Sequence, residues 1–74
     1  MSETRPTLDP DALLREPEAA RLLGLTPRTL EAWRHRGGGP PFIPLSRRAI
    51  RYRRGDLIDW AQERRVRSTA EYGA

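Results

Sequence analysis

The spacing of two short helical segments restricts the fold of this chain more than any other feature. Residues 17–23 form one helical segment, which stops at Gly24, a residue that readily adopts the left-handed conformation of a helix end. Thr26 is a good N-cap and Pro27 suits the first helical position, so a second helix is predicted to begin there. Only three residues lie between the two helices, and Leu25 among them is expected to enter the core. This arrangement is typical of a helix-turn-helix.

The hydrophobic period changes after the second helix and predicts a β-hairpin. Three glycines and two prolines at residues 37–41 end the helix. Over residues 42–53 the pattern has a period of two, in which Ile50 and Tyr52 alternate with arginines. One face of the hairpin is therefore expected to be apolar and the other cationic, and Pro44 favours an edge strand.

A last helix is predicted from Asp56 to about Arg67, with Leu57, Trp60 and Ala61 facing inward. A chain of 74 residues supports a single small domain. The predicted fold class is mainly α with a small β-hairpin: a winged helix-turn-helix whose two-stranded wing precedes a C-terminal helix. The expected segments are a flexible N-terminal segment at 1–12, the winged helix-turn-helix domain at 13–67 and a flexible tail at 68–74.

Positive charge is concentrated in the middle of the chain. Residues 25–54 contain eight arginines and one acid, Glu31, which sum to +7. Residues 1–24 carry three arginines and five acids, and residues 55–74 carry three arginines and four acids, so the flanking regions sum to −2 and −1. A helix and a hairpin with this charge suggest a surface for a polyanion, and nucleic acid is the favoured partner.

The composition argues against several classes of protein. There is no cysteine, so neither a disulfide framework nor a thiolate metal site can form. His35 is the only histidine and cannot build a metal site or a Ser-His-Asp arrangement alone. We therefore expect no enzymatic activity, no cofactor and no metal. No apolar run approaches the roughly 20 residues of a membrane span, so a cytoplasmic protein without a membrane partner is expected.

The candidate DNA contacts lie on the second helix and on the hairpin. Trp33 and Trp60 could stack on bases, but their spacing from Leu30 and Leu57 favours the core. The predicted recognition-helix contacts occupy the opposite arc and are Thr26, Arg28, Thr29, Glu31, Ala32, His35 and Arg36. The predicted wing contacts are Arg47, Arg48, Arg51 and Arg53.

Several of these residues have alternative roles. Arg28 could contact a guanine edge or only a phosphate. Glu31 could accept a hydrogen bond from a cytosine amino group, although an ion pair with Arg28 or Arg34 is the simpler role. Arg47 and Arg48, at the hairpin tip, could enter a minor groove or belong to a solvated turn, and the charge of the hairpin favours the first.

Two segments of the chain resemble a known family. EAARLLGLTPRTL at residues 18–30 resembles the start of small excisionase and AlpA-type proteins, which belong to the MerR-like winged helix-turn-helix group. RYRRGDLIDW at residues 51–60 is similar to the wing exit and third helix of that family. The similarity covers about residues 14–67. Glu31 and Ala32 depart from it, since MerR-type recognition helices commonly have arginine and tyrosine there.

The resemblance implies binding to double-stranded DNA. In this group some members are excisionases, which bend an attachment site and recruit an integrase, and others regulate transcription. The predicted role is that of an excisionase (a recombination directionality factor) of a phage or integrative element, which binds attachment-site DNA cooperatively and assists a site-specific integrase. Self-association on DNA is expected, because one recognition helix and one wing contact only a short site. The alternatives are an AlpA-type transcriptional regulator and a small adaptor that binds an acidic protein partner.

Overall fold

A computed structural model of the protein describes residues 8–72. Its elements, in chain order, are β1 (Leu13–Leu14), α1 (Glu16–Leu23), α2 (Pro27–Arg36), β2 (Ile43–Pro44), β3 (Ile50–Arg53), α3 (Arg54–Gln62) and α4 (Thr69–Tyr72). The three strands form an antiparallel sheet in the order β1-β3-β2. The predicted fold class, a mainly α winged helix-turn-helix, is confirmed.

The turn between α1 and α2 has the predicted form. Gly24 follows α1 with φ 73°, and its N–H donates to the carbonyl of Arg21 over 3.1 Å. A side chain would be strained at that φ, which is why glycine ends the helix here. Thr26 then caps α2, because its hydroxyl accepts from the N–H of Thr29 over 3.2 Å, and Pro27 takes the first helical position. The predicted helix start is thus confirmed.

The sheet contains one strand more than the sequence predicted. The hairpin is present, with Ile43 opposite Arg51 and Pro44 opposite Ile50, so Pro44 lies in an edge strand as expected. β1 adds a third strand on the other side of β3, where Leu14 pairs with Tyr52. A strand of two residues has no period by which a sequence pattern could reveal it.

The core lies between the helix-turn-helix and the inner face of the sheet. Its fully buried hydrophobic side chains are Ala19, Ala20, Leu30, Tyr52 and Leu57. Leucines of β1, α1 and the turn, together with Ile50, pack against them, so Leu25 contributes to the core as predicted. Trp33 and Trp60, which the sequence pattern places in the core, are only half-buried and do not belong to this cluster; their ring centroids lie 5.7 Å apart at a tilt of 48°.

The prediction for the last helix was wrong at its C-terminal end. α3 stops at Gln62 instead of continuing to Arg67, and a separate short helix, α4, follows after a turn. Every residue from Ala61 to Tyr72 is exposed, so α3 would gain no packing against the core by continuing past Gln62. Ala61, which the sequence pattern places inward, is therefore also exposed, whereas Leu57 is buried as predicted.

The described part of the N-terminal segment contacts the start of α3. The N–H of Gly55 donates to the carbonyl of Pro10 over 2.8 Å, and that of Arg54 donates to Ala12 over 2.9 Å. These bonds satisfy two of the N–H groups that a helix start leaves without partners. The segment boundaries at residues 12 and 67 remain predictions, and residues 1–7 and 73–74 of the two outer segments lie outside the described residues.

Candidate nucleic-acid interface

The first turn of α2 presents one cation beside two hydroxyls. Thr26 and Thr29 bond each other through their hydroxyl oxygens, which are 3.0 Å apart, in addition to the backbone cap. Arg28 is exposed and has no carboxylate partner among residues 8–72. Its guanidinium is therefore free to reach a base edge or a phosphate, while the two threonines are engaged in shaping the helix start.

The exposed arc of α2 follows the predicted facing. Leu30 is buried, whereas Glu31, His35 and Arg36 are exposed and Ala32 is half-buried. Within the described residues Glu31 forms an ion pair with neither Arg28 nor Arg34. The arc thus offers three polar side chains to a ligand.

The guanidinium of Arg34 is bound by a carboxylate of its own domain. Its Nε lies 3.1 Å from Oε2 of Glu16 and its Nη2 lies 3.2 Å from Oε1, a bidentate pair between α2 and α1. The hydroxyl of Tyr52 in β3 donates to the same Oε2 over 2.7 Å. The Glu16 carboxylate therefore joins the first helix, the recognition helix and the wing at one point.

The contacts among Glu16, Arg34 and Tyr52 keep the carboxylate and the guanidinium charged and the hydroxyl protonated. Burial alone would raise the pKa of Glu16, but hydrogen bonds from Arg34 and Tyr52 outweigh it, so the pKa is lowered and the carboxylate stays charged. Burial and the bond to Glu16 raise the pKa of Tyr52 to about 12, so its hydroxyl stays a donor. The bond to Glu16 raises the pKa of Arg34.

Sequence reasoning did not identify the Glu16 cluster. Glu16 lies 18 residues from Arg34 and 36 from Tyr52, distances at which no local pattern links side chains. The one available signal was an acid at the start of α1, which the helix dipole already explained.

The turn of the wing carries exposed cations. The N–H of Leu45 donates to Ala49 over 2.9 Å and closes the turn, and the Ser46 hydroxyl accepts from the N–H of Arg48 over 3.3 Å. The side chains of Arg47 and Arg48 are exposed with no carboxylate partner among the described residues. The turn is thus ordered by its backbone, which leaves both guanidinium groups free.

The two remaining predicted wing contacts, Arg51 and Arg53, differ in whether carboxylates bind their guanidinium groups. Arg51 is half-buried and its Nη1 donates to the carbonyl of Ile50 over 3.0 Å, which leaves most of its donors available. Arg53 is engaged by Asp11, 2.8 Å from its Nη2, and by Asp56, 2.9 Å from its Nη1. Bonds to Asp11 and then Asp56 raise the pKa of Arg53. A DNA contact by Arg53 stays a prediction that has to compete with these two ion pairs.

Fewer arginines are thus free to bind a ligand than the arginine count suggests. Of the eight arginines in residues 25–54, Arg34 and Arg53 are paired with carboxylates, and the other six have no such partner among residues 8–72. The unpaired six lie on the recognition helix, the wing and the first residue of α3. They are Arg28, Arg36, Arg47, Arg48, Arg51 and Arg54.

Neither a metal centre nor a membrane-spanning helix occurs in the described part of the chain. No group of three or more histidine, aspartate or glutamate side chains within residues 8–72 could hold a metal ion. In the same residues, no helix combines the length and the apolar character that crossing a membrane requires.

Comparison with known proteins supports what the geometry indicates. No curated protein matches the chain significantly. A family model described as a helix-turn-helix domain matches residues 13–65, which include α1, α2, the wing and α3. The matched region is well over half of the chain and contains both groups of free arginines. The protein therefore belongs to the helix-turn-helix domain family and is a small sequence-specific DNA-binding protein.

Proposed function

We propose that the protein is an excisionase, a recombination directionality factor of a phage or integrative element. It binds attachment-site DNA cooperatively, as a non-catalytic cytoplasmic protein without a cofactor, and assists a site-specific integrase. The resemblance of residues 18–30 and 51–60 to small excisionase and AlpA-type proteins of the MerR-like group supports this role.

The observation that carries the DNA-binding part is the placement of the free arginines. Arg28 stands at the N-terminal end of α2, the end that commonly meets base edges in the major groove. Arg47 and Arg48 stand at the tip of the adjacent wing, where they can reach a backbone or a minor groove. The Glu16 cluster holds these two elements together, so a single docking event brings both onto the duplex.

The surface of the domain supports an accessory role beside other protomers. Leu57 of α3 is buried in the core of its own domain, whereas Ile58 on the same helix is 37% exposed. A strong dimer needs a large apolar surface, and burial of Leu57 reduces the apolar surface that α3 could offer to one, which favours a protomer that is monomeric in solution. Neighbouring protomers are then brought together by DNA that carries repeated or inverted half-sites.

A reconstituted recombination assay tests the excision role. The element's attachment sites and its integrase are combined with and without the protein, and excision and integration are measured separately. Stimulated excision with unchanged or reduced integration is expected. If excision is unchanged while transcription from a promoter carrying the binding site responds, the protein is an AlpA-type regulator. Binding to an acidic protein without salt-dependent binding to duplex DNA would instead identify the adaptor.

A further inference from the structure

A second cationic feature combines two of the predicted wing contacts, Arg48 and Arg51, with an arginine outside the predicted contacts, Arg15. A cleft of about 410 Å³ opens between the start of α1, the recognition helix and the wing. Its volume is within the range of roughly 300–1,000 Å³ that small ligands occupy. Four of its six lining residues are arginines, and the full set is Arg15, Glu16, Arg34, Arg48, Ile50 and Arg51.

Three of these arginines remain uncompensated. Arg34 and Glu16 neutralise each other through their bidentate bond, so the single carboxylate in the cleft is already occupied. The guanidinium groups of Arg15, Arg48 and Arg51 form no ion pair with a carboxylate among the described residues, although the backbone N–H of Arg15 donates to Oε1 of Glu18 over 2.9 Å. They come from the N-cap of α1, the wing turn and β3. Three like charges around one cleft repel each other, and an anion inside it relieves that repulsion.

We propose that this cleft binds one backbone phosphate of duplex DNA, with Arg15 as a contact residue from outside the central arginine block. The inference rests on the proposed DNA binding and names a further part of that site. A guanidinium presents two parallel N–H groups that match two phosphate oxygens. A phosphate held between the recognition helix and the wing fixes the register of the domain on the duplex, since phosphate contacts position the protein and base contacts specify the sequence.

Arg15→Gln is the primary test, and Arg65→Gln is its control. Arg65 is an exposed arginine that lines a different groove, between α1 and α3, so its variant loses the same charge away from the cleft. Affinity for a selected duplex is measured against salt concentration. Arg15→Gln is expected to make the log–log salt slope shallower by about 0.9, equivalent to about an eightfold loss at 0.1 M salt, while Arg65→Gln keeps the slope. Equal slopes for Arg15→Gln and the unchanged protein overturn the proposal.

Single methylphosphonate substitutions along each strand then locate the phosphate. These substitutions remove the charge of one phosphate at a time. At one position the unchanged protein and Arg65→Gln should lose affinity, whereas Arg15→Gln should lose no more than it has already lost. If the profiles of Arg15→Gln and Arg65→Gln coincide at every position, Arg15 contacts no phosphate and the proposal fails.

Two further variants separate charge from folding. Arg15→Lys keeps the charge and is expected to retain the salt slope; a slope as shallow as that of Arg15→Gln contradicts a phosphate contact. Arg48→Gln lies on the exposed wing turn and tests the opposite side of the cleft even if Arg15→Gln unfolds. If the unchanged protein itself shows no salt-dependent affinity for duplex DNA, the proposed function fails as well. If the unchanged protein binds duplex DNA with that salt dependence and the cleft variants bind it equally well, this inference alone is overturned.

Discussion

Tyr52 belongs both to the hydrophobic core and to the polar cluster around Glu16. Its side chain is 1 % exposed in the core, yet its hydroxyl reaches out of that core to the Glu16 carboxylate. A buried hydroxyl without this bond would be costly, because desolvation of an unpaired polar group is not repaid. Burial of this hydroxyl, together with its bond to Glu16, raises the pKa of Tyr52 and makes the stability of the domain depend on pH at the alkaline end of the scale.

Tyr52→Phe should remove an alkaline stability transition. The folded-state pKa of Tyr52 lies above its ordinary value of 10.0, at about 12. The resulting stabilisation is therefore fully present below pH 10 and is lost as pH rises to about 12. A shift of this size corresponds to about 3 kcal/mol. The free energy of unfolding from urea titrations at intervals over pH 8–12 measures it. The exposed Tyr72 supplies a matched control, since Tyr72→Phe should keep the transition; a transition that persists in Tyr52→Phe would assign it to another group.

Arg28→Ala should reduce specific binding to DNA by about 1–3 kcal/mol, because a guanidinium at the start of a recognition helix can form a bidentate contact with guanine. The same change should relax the preference at one base pair. Binding of the variant is measured on a selected site, on single-base variants of that site and on random DNA. A loss of the same size on selected and random DNA would make Arg28 a phosphate contact.

At the scale of elements, the wing should contribute affinity with little effect on folding. Both turn arginines are exposed and the turn is closed by backbone bonds, so Arg47→Ala with Arg48→Ala leaves the core intact. We expect weaker binding on all duplexes and a salt slope shallower by about 0.9 for each phosphate that the double variant no longer binds. Thermal unfolding of the double variant, compared with that of the unchanged protein, checks the fold. Unchanged affinity and slope would show that the wing turn does not touch DNA.

Local chemistry explains which elements the sequence predicted correctly. The Gly24 stop and the Thr26 cap act within three or four residues, so the helix-turn-helix followed from the sequence alone. The end of α3 did not, because no glycine or proline in residues 63–72 indicates a helix stop, although the residues beyond Gln62 are exposed. β1 is too short to show a period, and only its pairing with β3 reveals it.

The site was predictable to the same degree and for the same reason. Exposed arginines on the recognition helix and the wing could be named from composition and spacing. The engagement of Arg53 by Asp11 could not, since 42 residues separate the two. Nor could the Glu16 cluster, whose partners come from three different elements. Local sequence thus identified five of the six unpaired arginines in residues 25–54 but not Arg54, while tertiary structure determined which arginines were already paired.

At the scale of the whole molecule, binding should be cooperative. One recognition helix and one wing contact a short stretch of duplex, so a single protomer has limited affinity and specificity. We expect a mainly monomeric protein by ultracentrifugation and increasing affinity per site on DNA with one, two and three half-sites. Equal affinity per site on the three duplexes, or a tight dimer without DNA, would contradict cooperative assembly.

The contact between the N-terminal segment and α3 determines where an expression fragment of the domain can begin. A fragment beginning at residue 13, where sequence patterning places the domain boundary, would lack the carbonyls of Pro10 and Ala12 that cap α3 and the carboxylate of Asp11 that holds Arg53. Pro10 also packs so closely on Gly55 that a Cβ at position 55 would lie 3.1 Å from the carbonyl oxygen of Pro10. An expression fragment for crystallography or for fusion to another protein should therefore retain residues 9–12, with any added sequence joined before them.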